Sequence, residues 1–169
     1  MGLDNMPHEY PCKRQGTAVI NKQTHTWEDD EGNAHSEDTY PIDCDKTIEA
    51  GGCPFTNANP PKDGRILGML GTYCWYRGKS GNGLVRALNG GSTDDVWDTE
   101  DENFYGTDDE GLYRPPEACR SLADDMEAKL EALGGKLVEN DEDLTHYVRY
   151  AIWYLRWVAK DGVGMDAWY

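Results

Sequence analysis

Cysteine is the residue type in this chain with the widest chemistry, since its thiolate binds metals, forms disulfides and attacks electrophiles. The chain of 169 residues has five cysteines. Four of them lie in the first half and would supply the ligands of a tetrahedral zinc site: Cys12, Cys44, Cys53 and Cys74. No C-x2-C pair supports this, so buried free thiols and disulfides remain alternative interpretations. His8 is a substitute ligand, and Cys119 is expected in the core.

A second group of residues has the chemistry of a docking surface. Residues 61–91 carry a net charge of +4 in a chain whose total is −16. Trp, Tyr and Arg are the residue types that anchor protein interfaces, and this segment has all three. Two tryptophans of the last predicted helix extend the predicted interface, whose members are Trp75, Tyr76, Arg77, Lys79, Arg86, Trp153 and Trp157. Direct nucleic-acid binding is disfavoured, because the overall field repels phosphates.

The usual catalytic patterns are absent from the sequence. It has no nucleophile elbow, no H-E-x-x-H and no Cys/His signature near any of its four histidines. The sequence therefore favours a binding or structural protein over an enzyme. A zinc-dependent enzyme remains the alternative if the cysteines bind metal.

The composition indicates a folded but strongly acidic protein. Asp and Glu total 32 against 16 Lys and Arg. Six Trp and ten Tyr can each bury about 150–250 Å², which replaces the scarce aliphatic residues as core material. Self-repulsion of this size is screened at molar salt, where the Debye length is about 3 Å. The composition is typical of a halophile, so we expect the fold to need salt. An ordinary acidic protein and a nucleic-acid mimic are the other interpretations.

The elements that position these groups predict an α+β fold. A small β unit is expected at residues 17–42, a buried strand at 66–76 and a helical turn or two at 84–88. Pro115-Pro116 and Gly134-Gly135 bound a first long helix. A second helix is capped by Asn140 or Asp141 and has a second aromatic stripe that would be buried either in the domain or against another chain. We expect Met165 to Tyr169 to fold back, and Met1 to Tyr10 to be irregular.

One domain of 1–169 is predicted, with a loop-rich β part at 1–91, an acidic loop at 92–114 and a helical part at 115–169. The first ten residues lack the pattern of a signal peptide, and no apolar run is long enough for a membrane span. We therefore expect a cytoplasmic or virion location without membrane contact.

The start Met1-Gly2-Leu3-Asp4, the aromatic helix Tyr147 to Trp157 and Gly162-x-Gly164 before Trp168 resemble small proteins of tailed viruses. Together with the acidic composition, this points to a halophilic archaeon or its virus. The resemblance covers about a fifth of the chain and implies no functional residue. The leading hypothesis is a non-enzymatic interaction protein, either a virion component or an accessory binding protein, that binds a protein partner or itself.

Overall fold

The computed structural model describes residues 4–61, 67–69, 72–77, 81–92, 113–137 and 142–168. The fold is α+β, as the sequence predicts. Its strands are β1 (Asp4–Pro7), β2 (Gln23–Glu28), β3 (Ala34–Thr39), β4 (Leu67–Met69), β5 (Thr72–Arg77), β6 (Tyr113–Arg114) and β7 (Met165–Trp168). Its helices are α1 (Pro11–Arg14), α2 (Cys44–Glu49), α3 (Pro54–Asn57), α4 (Gly81–Leu88), α5 (Pro116–Ala132) and α6 (Glu142–Asp161).

The two long helices α5 and α6 pack on each other and contain most of the core. Helix α5 starts with Pro116 at its first turn and is followed by Gly134 at φ +76°. Tyr150 and Tyr154 of the second aromatic stripe of α6 are fully buried within the same chain. The sequence left open whether this stripe is buried in the domain or against another chain. The structure shows that it is buried in the domain.

A five-stranded sheet of order β4-β5-β1-β7-β6 lies beside the helices. Strand β1 is at its centre and pairs antiparallel with both β5 and β7. The predicted fold-back after α6 is confirmed, because Met165–Trp168 forms β7. The prediction that the first ten residues are irregular is wrong. Their polar sequence gives no strand pattern, and long-range pairing with β5 and β7 holds β1 in place.

The link from α6 to β7 depends on two glycines. Gly164 has φ +97°, and a Cβ there would collide with the carbonyl oxygen of Arg114. A Cβ on Gly162 would lie 2.7 Å from the Cβ of Pro7 in β1. Both positions therefore need glycine for helix, edge strand and central strand to approach so closely.

The first part of the chain has short elements and few buried apolar side chains. The short helix α3 has Pro54 in its first turn, and α2 precedes it. The hydroxyl of buried Thr47 accepts from the Val19 N–H at 2.9 Å and donates to the Asp43 carbonyl at 2.7 Å. Among the described residues before α4, the buried apolar side chains are Pro7, Pro11, Cys12 and Phe55. Hydrogen bonds to Thr47 therefore tie together segments that have little core.

The predicted β unit at 17–42 is a hairpin of β2 and β3, although residues 17–19 are not strand. Ile20 and Ile42 form a single bridge at its base. The predicted buried strand at 66–76 is two strands, β4 and β5, and the predicted turn at 84–88 is the longer α4. The acidic loop falls outside the described residues except for Ser92 and β6, and the three-part division of the chain stays a prediction. Within the described part of the chain, no helix is both long and apolar enough to span a bilayer.

Candidate functional site

Four cysteines that are far apart in sequence line one small cavity. Cys12, Cys44, Cys53 and Cys74 all contribute to its wall. The cavity has a volume of about 20 Å³ and an almost entirely apolar lining. The predicted set of four thiols is thus brought together in space, although its spacing in sequence resembles no zinc motif.

A different local feature places each of these cysteines. Cys12 follows Pro11 in α1, and its carbonyl accepts from the Thr17 and Ala18 N–H groups. Cys44 begins α2, whose N-cap Asp43 accepts from the Lys46 N–H at 3.0 Å. The remaining two are Cys53, which is the N-cap of α3, and Cys74, which lies within β5.

The approach of Cys53 depends on the glycine before it. A Cβ on Gly52 would lie 2.6 Å from the carbonyl oxygen of Thr17. The Thr17 hydroxyl donates to the Gly52 carbonyl at 2.6 Å, which holds the two segments together. The loop before α3 can therefore reach the segment after α1 only because residue 52 has no side chain.

Burial controls the titration of the groups around the cavity. It raises the pKa of the thiols of Cys12 and Cys44, and it holds the pKa of Cys74 well above its usual range. Burial also raises the pKa of Tyr10, on the same wall, to about 12, against the opposing effect of the hydrogen bond from Trp75. Because their pKa values are raised, the thiols of Cys12, Cys44 and Cys74 are protonated at neutral pH and are poor nucleophiles in the absence of a cation.

Two other residues considered from the sequence, His8 and Cys119, lie away from the cavity wall. His8 bonds to Asp166 at 3.0 Å and packs against Tyr113, and it is not part of the cavity wall. Cys119 is fully buried on α5 in the apolar core, as predicted. All five cysteines are free thiols. Among the residues that the structure describes, no three Cys, His, Asp or Glu side chains already stand in an arrangement that would hold a metal ion.

The predicted cationic and aromatic surface is only partly described. Trp75 is half-buried, and its indole N–H donates to the Tyr10 hydroxyl at 2.7 Å. This bond anchors Trp75 within the fold and leaves part of its ring exposed, and its role as a docking residue stays a prediction. Arg86 is exposed on α4. Tyr76 and Arg77 belong to β5 by their backbone, but their side chains and all of Lys79 lie outside the described residues.

Trp153 and Trp157 lie at the wall of a second cavity, a groove of about 600 Å³ between α5, α6 and the end of α3. Their rings are parallel, with centroids 6.3 Å apart, and Phe55 packs edge-on against both. Trp157 is only 5% exposed and therefore offers little surface to a partner, and its predicted role at an interface stays untested. A stripe on one helix does not reveal in advance which neighbouring element will cover it, and here Phe55 does.

The hairpin of β2 and β3, hereafter the arm, is the surface that the sequence did not single out. Nearly every residue of both strands is exposed, and neither strand packs extensively on another element of the described fold. Trp27 is 49% exposed and stacks on His35 across the strands, with centroids 5.5 Å apart. Ile20 and Tyr40 at the base of the arm are also exposed. The alternation of Thr, His and Trp beside the Asp-Glu-Gly-Asn turn predicts a hairpin. It does not predict that the hairpin makes few contacts with the rest of the described fold.

The turn of the arm is built around one carboxylate. Asp29 accepts from the Asn33 N–H at 2.8 Å and from the Glu31 N–H at 3.0 Å, and it pairs with His35 at 2.8 Å. The hydrogen bond from His35, followed by those from Asn33, lowers the pKa of Asp29 to about 2. The arm therefore keeps its shape through polar contacts of its own.

Comparison with protein-family models, curated proteins and solved structures finds no significant match to this chain. The site is therefore interpreted from its own geometry. The arm offers exposed aromatic contacts and acidic charge, and the four-cysteine cavity offers soft ligands in a dry environment.

Proposed function

We propose that this protein is a non-enzymatic structural or binding protein that associates with further copies of itself through the arm. A virion component or an accessory binding protein of a salt-adapted organism would work in this way. The observation that supports the proposal most directly is the exposed Trp27 on a hairpin that little of the described fold covers. Trp is among the residue types that contribute most to interfaces.

The arm has the features of a segment that is stabilised by what it binds. An isolated two-stranded hairpin is at best marginally stable in water. This one is supported by the Trp27–His35 stack and by the pairing of Lys22 with Asp38 at 2.7 Å, both of which are exposed to solvent. Docking on another surface would bury Trp27 and Tyr40 and would thereby stabilise the hairpin.

The charges favour a second copy of the chain as the occupant. Residues 21–40 carry a net charge of −5, whereas residues 61–91 carry +4. The exposed Arg86 on α4 belongs to that positive segment. An arm that contacts the positive segment of the next molecule would pair opposite charges at short range and would join molecules head to tail.

The test is sedimentation velocity over potassium chloride concentrations from about 0.1 to 2 M, because salt screens both the repulsion between acidic molecules and the attraction between the arm and the positive segment. We expect the wild-type protein to associate between about 1 and 100 µM, and Trp27→Ser to weaken the association at least about tenfold. Leu133→Ser is the matched control, because Leu133 is also 49% exposed but lies at the end of α5. A wild-type protein that stays monomeric would overturn self-association, and equal weakening by both variants would exclude the arm as the contact.

A further inference from the structure

The cavity lined by the four cysteines calls for an explanation beyond packing. Four of the five cysteines lie on four separate elements and line one cavity, where Cys53 and Cys74 also pack against the hydrophobic core, while the fifth, Cys119, lies within that core. Buried cysteines that act only as small hydrophobic residues have no reason to gather at one cavity. Their convergence is the observation that carries the inference.

We propose that Cys12, Cys44, Cys53 and Cys74 together bind one zinc ion as a structural site. Zinc prefers four ligands in a tetrahedron, and four thiolates at about 2.3 Å are one of its standard structural sets. The cavity has room for an ion, and its lining offers almost no competing polar group. Among the described residues no three of these thiols are arranged to hold a metal ion, so binding requires the segments that hold them to bring the four thiols toward a common centre.

The part of the chain that holds these cysteines is also the part that lacks an apolar core. Among the described residues before α4, only four apolar side chains are buried, those of Pro7, Pro11, Cys12 and Phe55. One ion would cross-link α1, α2, the start of α3 and β5, and so supply the cohesion that hydrophobic packing does not. Short helices joined by loops are a common setting for such sites.

Four thiolates leave no position open for water or substrate, so this zinc would not be catalytic. The cavity of about 20 Å³ likewise has no space for a substrate beside the ion. The site therefore differs from the zinc-dependent enzyme considered from the sequence. It is also independent of the arm, because neither β2 nor β3 contributes to the cavity wall.

The test is elemental analysis of the purified full-length protein, together with titration of the metal-free protein with cobalt(II). We expect about one zinc per chain and, with cobalt, the charge-transfer and visible bands of a tetrahedral thiolate site. The Cys44→Ser and Cys53→Ser variants should lose most of the zinc and change the cobalt spectrum. Cys119→Ala is the matched control and should keep both, because Cys119 lies outside the cavity.

The wild-type titration keeps the proposal testable even if a variant fails to fold. A protein that gives no tetrahedral cobalt spectrum and takes up no zinc at stoichiometric concentration would overturn it. Alkylation in denaturant without reductant gives a further readout, since the proposal expects five reactive thiols after chelation. Fewer than five would mean that the cysteines form disulfides instead, which would also overturn it.

Discussion

The helical part and the N-terminal part of this protein are held together by different forces. In residues 113–137 and 142–168, side chains such as Val148, Ala151 and Leu155 are buried to at least 99% between α5 and α6. In residues 4–61, most side chains are exposed or half-buried, and hydrogen bonds of Thr17 and Thr47 link the segments. The comparison teaches that a chain with few aliphatic residues can concentrate them in one helix pair and build the rest from polar contacts.

Tyr154 joins the two parts, and its removal should have the largest effect. The buried Tyr154 hydroxyl lies 2.8 Å from the Cys74 carbonyl and 3.2 Å from that of Asn5, so it can donate to either strand. Tyr154→Ala should lower the free energy of unfolding by about 3–5 kcal/mol, because it leaves a cavity and two carbonyls without their donor. Urea denaturation at constant salt measures this loss.

Tyr154→Phe separates the two contributions, because it keeps the ring and removes only the hydroxyl. Its loss should be about 1–2 kcal/mol. If both variants lost the same free energy of unfolding, packing of the Tyr154 ring would contribute nothing to stability. The contrast between a helical part held by apolar packing and an N-terminal part held by polar contacts would then be wrong.

Thr47→Val tests the polar network of the N-terminal part. The variant keeps the shape of the side chain but leaves the Val19 N–H without its acceptor, at a residue that is 1% exposed. We expect a loss of about 1–3 kcal/mol, with faster amide exchange in residues 17–20 than in α6.

Thr24→Val is the control for Thr47→Val, since the Thr24 hydroxyl donates to Asp38 on the exposed arm. It should change the free energy of unfolding by less than about 0.5 kcal/mol. A Thr47→Val protein as stable as Thr24→Val would show that the network does not hold the segments together.

The smallest expected effect is the response of the arm to acid. The pKa of Asp29 in the folded arm is lowered to about 2, from 3.8 in the absence of its partners. Because the folded pKa is the lower one, the stabilisation is complete above about pH 4 and is lost as the pH falls toward 2. The NMR shift of the Asp29 side-chain carboxyl carbon should therefore change with a midpoint at about pH 2.

Asp29→Asn provides the comparison for that titration. It cannot ionise, so the variant should show a disturbed turn already at neutral pH and no step between pH 4 and 2. A step of the same size in the variant would assign the titration to another group.

The sequence predicts the helical part better than the N-terminal part for a physical reason. The apolar repeat of α5 and the bounds set by Pro116 and Gly134 are local signals, and the structure confirms them. Strand β1 depends on partners more than 60 residues away along the chain, and nothing in Asp4–Pro7 encodes them. The same limit explains Trp157, because its position in the stripe does not reveal that Phe55 covers it.

The candidate sites show a similar division. Residue type alone was enough to group Cys12, Cys44, Cys53 and Cys74, and the structure places them at one cavity. Residue type alone did not reveal that Trp75 is half-buried, with Tyr10 near enough to accept a hydrogen bond from its indole N–H. The exposure of the arm could not be predicted, since it depends on what the rest of the described fold leaves uncovered.

The position of β1 between β5 and β7 bears on how the chain folds during synthesis. Asp4 pairs with Trp168, so the central strand leaves the ribosome early and waits for a neighbour that follows more than 150 residues later. Contacts so distant in sequence form slowly, and an incomplete sheet exposes unpaired strand edges. Nascent chains stalled before β7 should therefore be sensitive to protease within residues 4–7 and should become resistant once Met165–Trp168 has emerged.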